Sequence, residues 1–239
     1  MNIISDANNE KKSIFLGTVL NSYYDQIITK KLSIIFDKED IQLINAHYKN
    51  PVSISINFLD KELNNKIKLR LAGKKDVFDK LFPKKGSTIL DCTAGYGRDS
   101  YILRSMGYDI TMIENSPVMS LLLNSALKKL ELSNFSMYHG NSYDYLKHSE
   151  NHYEYIYIDF MFDKLKGSSL SSKNDETLKL ISFQDSNKNN LIKLAIKKSK
   201  GRVIVKEPKH SLSNILKPDY IIKTKLLNFN VYRGVYEKI

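Results

Sequence analysis

From Ser87 onward, short β-prone runs alternate with amphipathic stretches, and this order most constrains the fold of the chain. The strand-like runs are Thr88–Cys92, Asp109–Ile113, Phe135–Tyr138, Tyr155–Asp159 and Arg202–Lys206. Between them, Arg98–Met106, Pro117–Leu130 and Asn187–Lys198 carry apolar residues at helical spacing. Parallel neighbours need a crossover connection, so strand–helix–strand order predicts a parallel sheet covered by helices on both faces. Two further strand runs, Tyr220–Leu226 and Phe229–Lys238, are separated only by Leu227-Asn228 and read as an antiparallel hairpin closing the sheet.

The first third of the chain has a different period. Residues 14–29 place Ile14, Leu16, Val19, Leu20, Tyr23, Ile27 and Ile28 at helical spacing. Leu32–Phe36, Ile41–Ala46 and Val52–Phe58 then read as three short strands, divided by the turn sequences Asp37-Lys-Glu-Asp40 and Tyr48-Lys-Asn-Pro51. In the third of these, Ser53, Ser55 and Asn57 alternate with apolar residues, as in a half-buried strand. A basic connector follows, predicted helical in its second half, where Val77, Phe78, Leu81 and Phe82 share a face. The expected organisation is a small helix plus meander over 1–62, the connector over 63–86, and an α/β domain over 87–239.

Composition narrows the function classes. With 42% hydrophobic residues the 239-residue chain can build a core, and no apolar run approaches a membrane span. Met1 to Lys12 is polar and Cys92 is the single cysteine, so neither a secretory leader nor a disulfide framework is expected. These features fit a cytoplasmic protein. His47, His139, His148, His152 and His210 show no ligand spacing, and no metal site is expected. Lys and Arg number 37 against 26 Asp and Glu, a formal charge of +11. AT-biased coding inflates lysine, but the surplus over acids still favours a polyanionic partner such as nucleic acid.

The richest local motif is Ile89-Leu-Asp91-Cys-Thr-Ala-Gly95-Tyr-Gly97-Arg98-Asp99. A strand runs through a Gly-containing turn into a helix whose first N–H groups attract an anion. Gly95 and Gly97 permit positive φ and close approach of a ligand, and Asp91 can meet an ammonium group. The tail of S-adenosylmethionine offers both a carboxylate and an ammonium, whereas a pyrophosphate offers no cation. The dinucleotide fingerprint also wants a third glycine where Ser100 stands. A ligand-free strand–turn–helix corner is the plainer alternative.

Three more strand ends carry candidates. Glu114 closes the second strand before Asn115-Ser-Pro117, where its two oxygens suit ribose hydroxyls, or where it only caps a helix. Asn141 and Ser142, after Gly140, suit an adenine edge or a plain helix cap. Asp159, at the end of the fourth strand before Phe160-Met161-Phe162, faces the cleft of a parallel sheet. A carboxylate there can accept N–H bonds from an exocyclic amine, and an aromatic can stack on an unstacked base. Equally, these aromatics can be core or lid residues.

The strings Asp91-Cys-Thr-Ala-Gly-Tyr-Gly-Arg-Asp99, Glu114-Asn-Ser-Pro117, Asp159-Phe-Met-Phe162 and Val203-Ile-Val-Lys206-Glu-Pro208 resemble the small-subunit (16S) ribosomal RNA guanine-N2 methyltransferase J family. The resemblance extends into the meander at Ser33–Asp60. It implies a Rossmann-like class I methyltransferase sheet, parallel with a terminal antiparallel hairpin, behind a small α+β N-terminal region. It also implies S-adenosylmethionine-dependent methylation of a guanosine exocyclic amine in small-subunit rRNA, and a monomer or weak dimer is expected. Cofactor contacts implied are Arg98, Asp99, Glu114, Asn115, Asn141, Ser142 and Asp159, beside the turn residues Asp91, Gly95 and Gly97. Asp159, Phe160 and Phe162 are the candidate catalytic group.

The family pattern at the fourth strand reads Asp-Pro-Met-Phe-Pro, and both prolines are missing here. For RNA phosphates the expected contacts are Arg70, Lys74 and Lys75 of the connector, Lys164, and Lys206 and Lys209 after the fifth strand. Three other readings stand beside this one: methylation of another nucleic acid amine, a non-catalytic RNA-binding protein that keeps the cofactor site, and a nicotinamide-dependent oxidoreductase.

Overall fold

The computed structural model describes residues 2–4, 31–37, 40–130, 135–160, 172–183, 187–209 and 215–235. The helix expected over 14–29 lies outside them. The chain forms two compact units that do not follow chain order, since segments near residues 116–132 and 169–183 join the N-terminal one.

The N-terminal unit holds a four-stranded sheet of β1 (Asn2–Ile4), β2 (Leu32–Asp37), β3 (Asp40–Asn45) and β4 (Val52–Ile54). β2, β3 and β4 form the expected antiparallel meander, with Ile34 opposite Leu43 and Leu43 opposite Ile54. β1 adds to β2 in parallel, a strand too short to be read from three residues. Leu32, Ile34, Leu43, Val52 and Ile54 are buried, so period-2 alternation sends one face of the sheet into a core. β4 stops at Ile54 rather than Phe58, and the Phe58 ring packs on Tyr101 with centroids 4.7 Å apart.

The basic connector is helical in both halves, not only the second. α1 (Lys61–Leu71) starts at Asp60, whose side chain accepts the Leu63 N–H, and it buries Leu63 and Ile67. α2 (Val77–Leu81) starts in a capping box formed by Asp76 and Asp79. The polar residues of α1 hid this helix, since Leu63 and Ile67 are buried while Leu69 and Leu71 are exposed.

The larger unit is built on β5 (Thr88–Asp91), α3 (Arg98–Ser105) and β6 (Asp109–Glu114). α4 (Pro117–Lys128) follows in sequence but belongs to the N-terminal unit, packing on β3, and Ser116 caps it. β7 (Phe135–His139), α5 (Ser142–His148) and β8 (Tyr153–Asp159) come next. α6 (Lys173–Ile181) is again part of the N-terminal unit and was not expected. There Asn45 donates to Thr177 Oγ1 at 2.9 Å and Tyr48 donates to Glu176 at 2.6 Å. α7 (Lys188–Lys198), β9 (Ser199–Pro208), β10 (Tyr220–Lys223) and β11 (Leu227–Arg233) complete the chain.

The large sheet has the order β10-β11-β9-β8-β5-β6-β7. β9 through β7 are all parallel, and β10 and β11 are antiparallel, as the alternation and the closing hairpin predicted. The hairpin turn lies at Thr224-Lys225-Leu226 rather than Leu227-Asn228. Thr224 Oγ1 accepts the Leu227 N–H and donates to the Leu227 carbonyl, which closes the loop two residues earlier.

The chain winds outward from β5 through β6 to β7, then returns to β8 on the other side of β5. The β5–β8 boundary is therefore a topological switch point, and a crevice opens there at the carboxyl ends of the strands. Leu90, Ile113, Ile156, Ile158, Leu191, Ile192, Val203 and Val205 form the apolar core beneath it. Among the described residues, no helix is long and apolar enough to cross a membrane, and no His, Cys, Asp and Glu group could hold a metal ion.

Candidate active site

Three parallel strands deliver acids to the crevice: Asp91 ends β5, Glu114 ends β6 and Asp159 ends β8. Backbone bonds tie these ends together, from Cys92 N–H to the Tyr157 carbonyl (2.9 Å), Ala94 to Ile113 (3.0 Å) and Gly140 to Glu114 (3.0 Å). The turn between β5 and α3 needs its glycines. Gly95 has φ of 52° and Gly97 has φ of 67°, a region in which a side chain is strained. Gly97 is also the N-cap of α3 and supplies no side-chain oxygen, so none of the first-turn N–H groups is satisfied by the cap. That is the arrangement suited to an anion.

Asp91 is buried, and the chain engages both its oxygens. The Thr93 N–H donates to Oδ1 at 3.0 Å and Ser100 Oγ donates to Oδ2 at 2.6 Å. The residue standing where a dinucleotide site has glycine is therefore what locks Asp91 to α3. Burial pushes the Asp91 carboxyl up to about 7, against the two hydrogen bonds that favour its ionised form.

A carboxyl raised in the folded state binds its proton more tightly there than in the unfolded chain. Its contribution to stability is thus full below about pH 4 and is lost as pH rises through about 7. Asp91→Asn should show no such loss. The difference in melting temperature between the variant and the parent should widen in the variant's favour from pH 4 to 7 and then level off, as read by calorimetry.

Glu114 Oε2 accepts the Gly95 N–H at 2.8 Å, so this acid holds the glycine turn as well as facing the crevice. A carboxylate oxygen has two lone pairs, so this bond leaves acceptor capacity for ribose hydroxyls. Asn115 follows directly at the mouth, half-buried. Asn141 serves as the N-cap of α5, accepting the Tyr143 and Asp144 N–H groups at 2.8 and 3.2 Å. Ser142 is buried and donates to the Cys92 carbonyl, joining α5 to the end of β5. For both residues, therefore, the geometry shows the capping and anchoring role that sequence reasoning set beside the adenine contact.

The deepest part of the crevice is a charged chain. Lys206 Nζ lies 2.8 Å from Asp159 Oδ2 and 2.9 Å from Asp99 Oδ2, and the Tyr157 hydroxyl donates to Asp99 Oδ2 at 2.7 Å. The Asp159 N–H donates to Thr93 Oγ1 at 2.6 Å, fixing the backbone at the strand end. Burial pushes the Asp159 carboxyl above the ordinary carboxylate value, and the Lys206 charge opposes that rise. Burial works against the Lys206 ammonium too, but Asp99 and Asp159 together hold it charged, above the ordinary lysine value.

Several expected roles change. Lys206 is not a surface phosphate contact: it sits in register with Asp159 on the neighbouring strand, between two carboxylates. Phe160 offers no stacking face, because its ring is buried in the core cluster with Lys188 Nζ 4.9 Å from its centroid. Arg70 is occupied in the connector, paired with Asp76 and lying over the Phe78 ring. Lys74, Lys75 and Lys209 are exposed, and so is Arg98 at the start of α3. Phe162 and Lys164 lie outside the described residues.

Sequence reasoning missed Tyr157, Thr93 and Ser100. Tyr157 was findable, since it stands two residues before Asp159 on the same strand face.

A parallel sheet ending in an antiparallel hairpin, with a glycine turn into α3 and acids at successive strand ends, defines a class I methyltransferase. Comparison with known proteins gives the family. A family model described as "Putative SAM-dependent methyltransferase" matches residues 23–234. A ribosomal RNA small subunit methyltransferase J from Legionella pneumophila (strain Corby) is 32% identical over 236 residues, covering 94% of this chain and 93% of that protein. One from Coxiella burnetii (strain RSA 331) is 35% identical over 154 residues, so the match spans 60% of that relative and 61% of this chain. Among solved structures, a SAM-dependent methyltransferase from Neisseria gonorrhoeae superposes with a TM-score of 0.67 at 18% identity, covering 98% of this chain and 96% of that one. The chain belongs to the ribosomal RNA small subunit methyltransferase J family, and its cofactor is S-adenosylmethionine.

The donor set fits that cofactor. The uncapped first turn of α3 suits the methionine carboxylate, and Glu114, with acceptor capacity left beside its bond to Gly95, suits the ribose. When bound, the cofactor supplies a methyl group on a positively charged sulfur.

Proposed function

We propose that this protein transfers a methyl group from S-adenosylmethionine to the exocyclic N2 amine of a guanosine in small-subunit ribosomal RNA, in the cytoplasm. The observation that carries the reading is Asp159, a carboxylate held at the β5–β8 switch point beside the glycine turn. A guanine amine is a poor nucleophile because its lone pair is delocalised into the ring. An acceptor that takes its N–H bonds draws the nitrogen towards tetrahedral geometry and aims the lone pair, so the gain is one of orientation and preformed dipoles. Lys206 holds one oxygen of that carboxylate, and Thr93 holds its backbone.

Of the two missing prolines, the one replaced by Phe160 has a substitute restraint here, whereas Asp163, at the second, lies outside the described residues. Proline fixes φ after the catalytic acid. Here the same point is restrained by the Thr93 hydrogen bond on one side and the buried Phe160 ring on the other. The names of the Legionella and Coxiella relatives, both ribosomal RNA small subunit methyltransferase J, support rRNA as substrate. The exposed Lys74, Lys75 and Lys209, on a chain of charge +11, suit an RNA backbone.

The test incubates the protein and isotopically labelled S-adenosylmethionine with small ribosomal subunits, or their RNA, lacking methyl marks, and reads nucleosides by mass spectrometry. Label in N2-methylguanosine is the expected result. Label in a different nucleoside would overturn the position, and tight cofactor binding with no label in any RNA would overturn the activity.

A further inference from the structure

The geometry points to Lys206 as a positioning residue that holds Asp159 in its ionised, hydrogen-bond-accepting form for the incoming amine. This rests on the reading of Asp159 as the amine's acceptor. Asp159 and Lys206 are Cα partners on parallel strands β8 and β9, so the pairing is built into the sheet rather than made by a loop. The ammonium binds Asp159 Oδ2 at 2.8 Å and is anchored on its far side by Asp99 Oδ2 at 2.9 Å, itself accepting from Tyr157. Lys206 is only one-fifth exposed, which leaves this charge little access to a nucleic acid phosphate.

The chemistry requires such a group. A protonated Asp159 would present an O–H where the carboxylate accepts, and would be a weaker acceptor for the amine hydrogens. Among the described residues, what else faces this carboxyl favours protonation or is neutral: burial raises its pKa, and Asp99 on α3 adds negative charge. Asp91 on β5 is a further acid coupled to it, and Tyr157 on its own strand is an uncharged phenol. Lys206 on β9 is the cation among these neighbours that opposes them. Asp99 has a double effect, steadying Lys206 while repelling the Asp159 charge.

The sign of two substitutions separates this role from a merely structural one. In full-length protein with carbon-13-labelled aspartate carboxyls, the Asp159 signal, assigned by its loss in Asp159→Asn, is followed by NMR against pH. Lys206→Met should raise the Asp159 midpoint by about one pH unit or more, since a lost ion pair of this kind commonly moves a carboxylate by one to three units. Asp99→Asn should lower it, and Lys206→Arg should return it close to the parent value.

In methyl-transfer assays the acid limb of the rate profile should move in the same direction in each variant. An Asp159 midpoint unmoved by Lys206→Met, with a uniform rate loss at every pH, would overturn the proposal. If Lys206→Met does not fold, Lys206→Gln, which keeps a hydrogen-bond donor without the charge, takes its place, and an Asp159 midpoint unmoved there does the same. Should the parent transfer no label to any RNA, the proposed activity fails, while the carboxyl titration still decides the role of Lys206.

Discussion

Replacing Asp159 with alanine is expected to lower single-turnover methyl transfer by about 10²–10³-fold, the cost of losing one preorganised hydrogen-bonding group at a reacting centre. The fold should survive, because Lys206 keeps Asp99 as a partner and the Phe160 ring stays in the core. Cofactor affinity should change far less than turnover, since the glycine turn, Glu114 and α3 are untouched. Asp159→Asn is the sharper variant. It keeps size and one acceptor oxygen but removes the charge that pairs with Lys206, so it should fall between parent and alanine. Quench-flow transfer assays combined with calorimetric cofactor titration check both halves. Near-parental turnover in Asp159→Ala would remove the basis for the assigned chemistry.

The second large effect is expected at Glu114. Glu114→Ala should weaken S-adenosylmethionine binding by about 10–100-fold, because hydrogen bonds to a charged group contribute about 1.5–3 kcal/mol. Two losses add here: the acceptor for the ribose, and the acceptor for the Gly95 N–H that shapes the turn. Glu114→Gln separates them. A glutamine oxygen can still take the Gly95 N–H but presents one acceptor instead of two, so the turn persists while the ribose contact weakens. Its affinity should lie between parent and alanine, measured by isothermal titration at fixed pH. Unchanged affinity in Glu114→Ala would refute the ribose assignment.

These two residues were both legible before the structure, and for the same reason. Each sits at the end of an apolar run, and an acid that closes a strand of a parallel sheet faces the crevice. The sheet was legible too, because short β-prone runs alternating with stretches of helical period near 3.6 leave few topologies. The closing hairpin was found but displaced, since the Thr224 side chain closes the turn and a hydroxyl bonding back to the main chain has no periodic signature. α1 escaped partly because Lys66, Lys68 and Arg70 interrupt its apolar residues, of which only Leu63 and Ile67 are buried.

What the chain alone determined is thus the order of its elements, the glycine turn and the acids at the strand ends, all properties of neighbours in sequence. Only the tertiary structure decided which side chains those acids meet. Lys206 stands 47 positions after Asp159 in sequence, and nothing local distinguishes it from the exposed lysines expected to hold RNA. Strand register places it opposite Asp159, and burial then makes an unpaired ammonium costly, so it pairs with two carboxylates instead of pointing to water. The same distinction separates Phe160 from a stacking residue and Arg70 from a phosphate contact. Each is a residue type suited to RNA, and its role was decided by what lies beside it in space: the apolar core for Phe160, and Asp76 and Phe78 for Arg70.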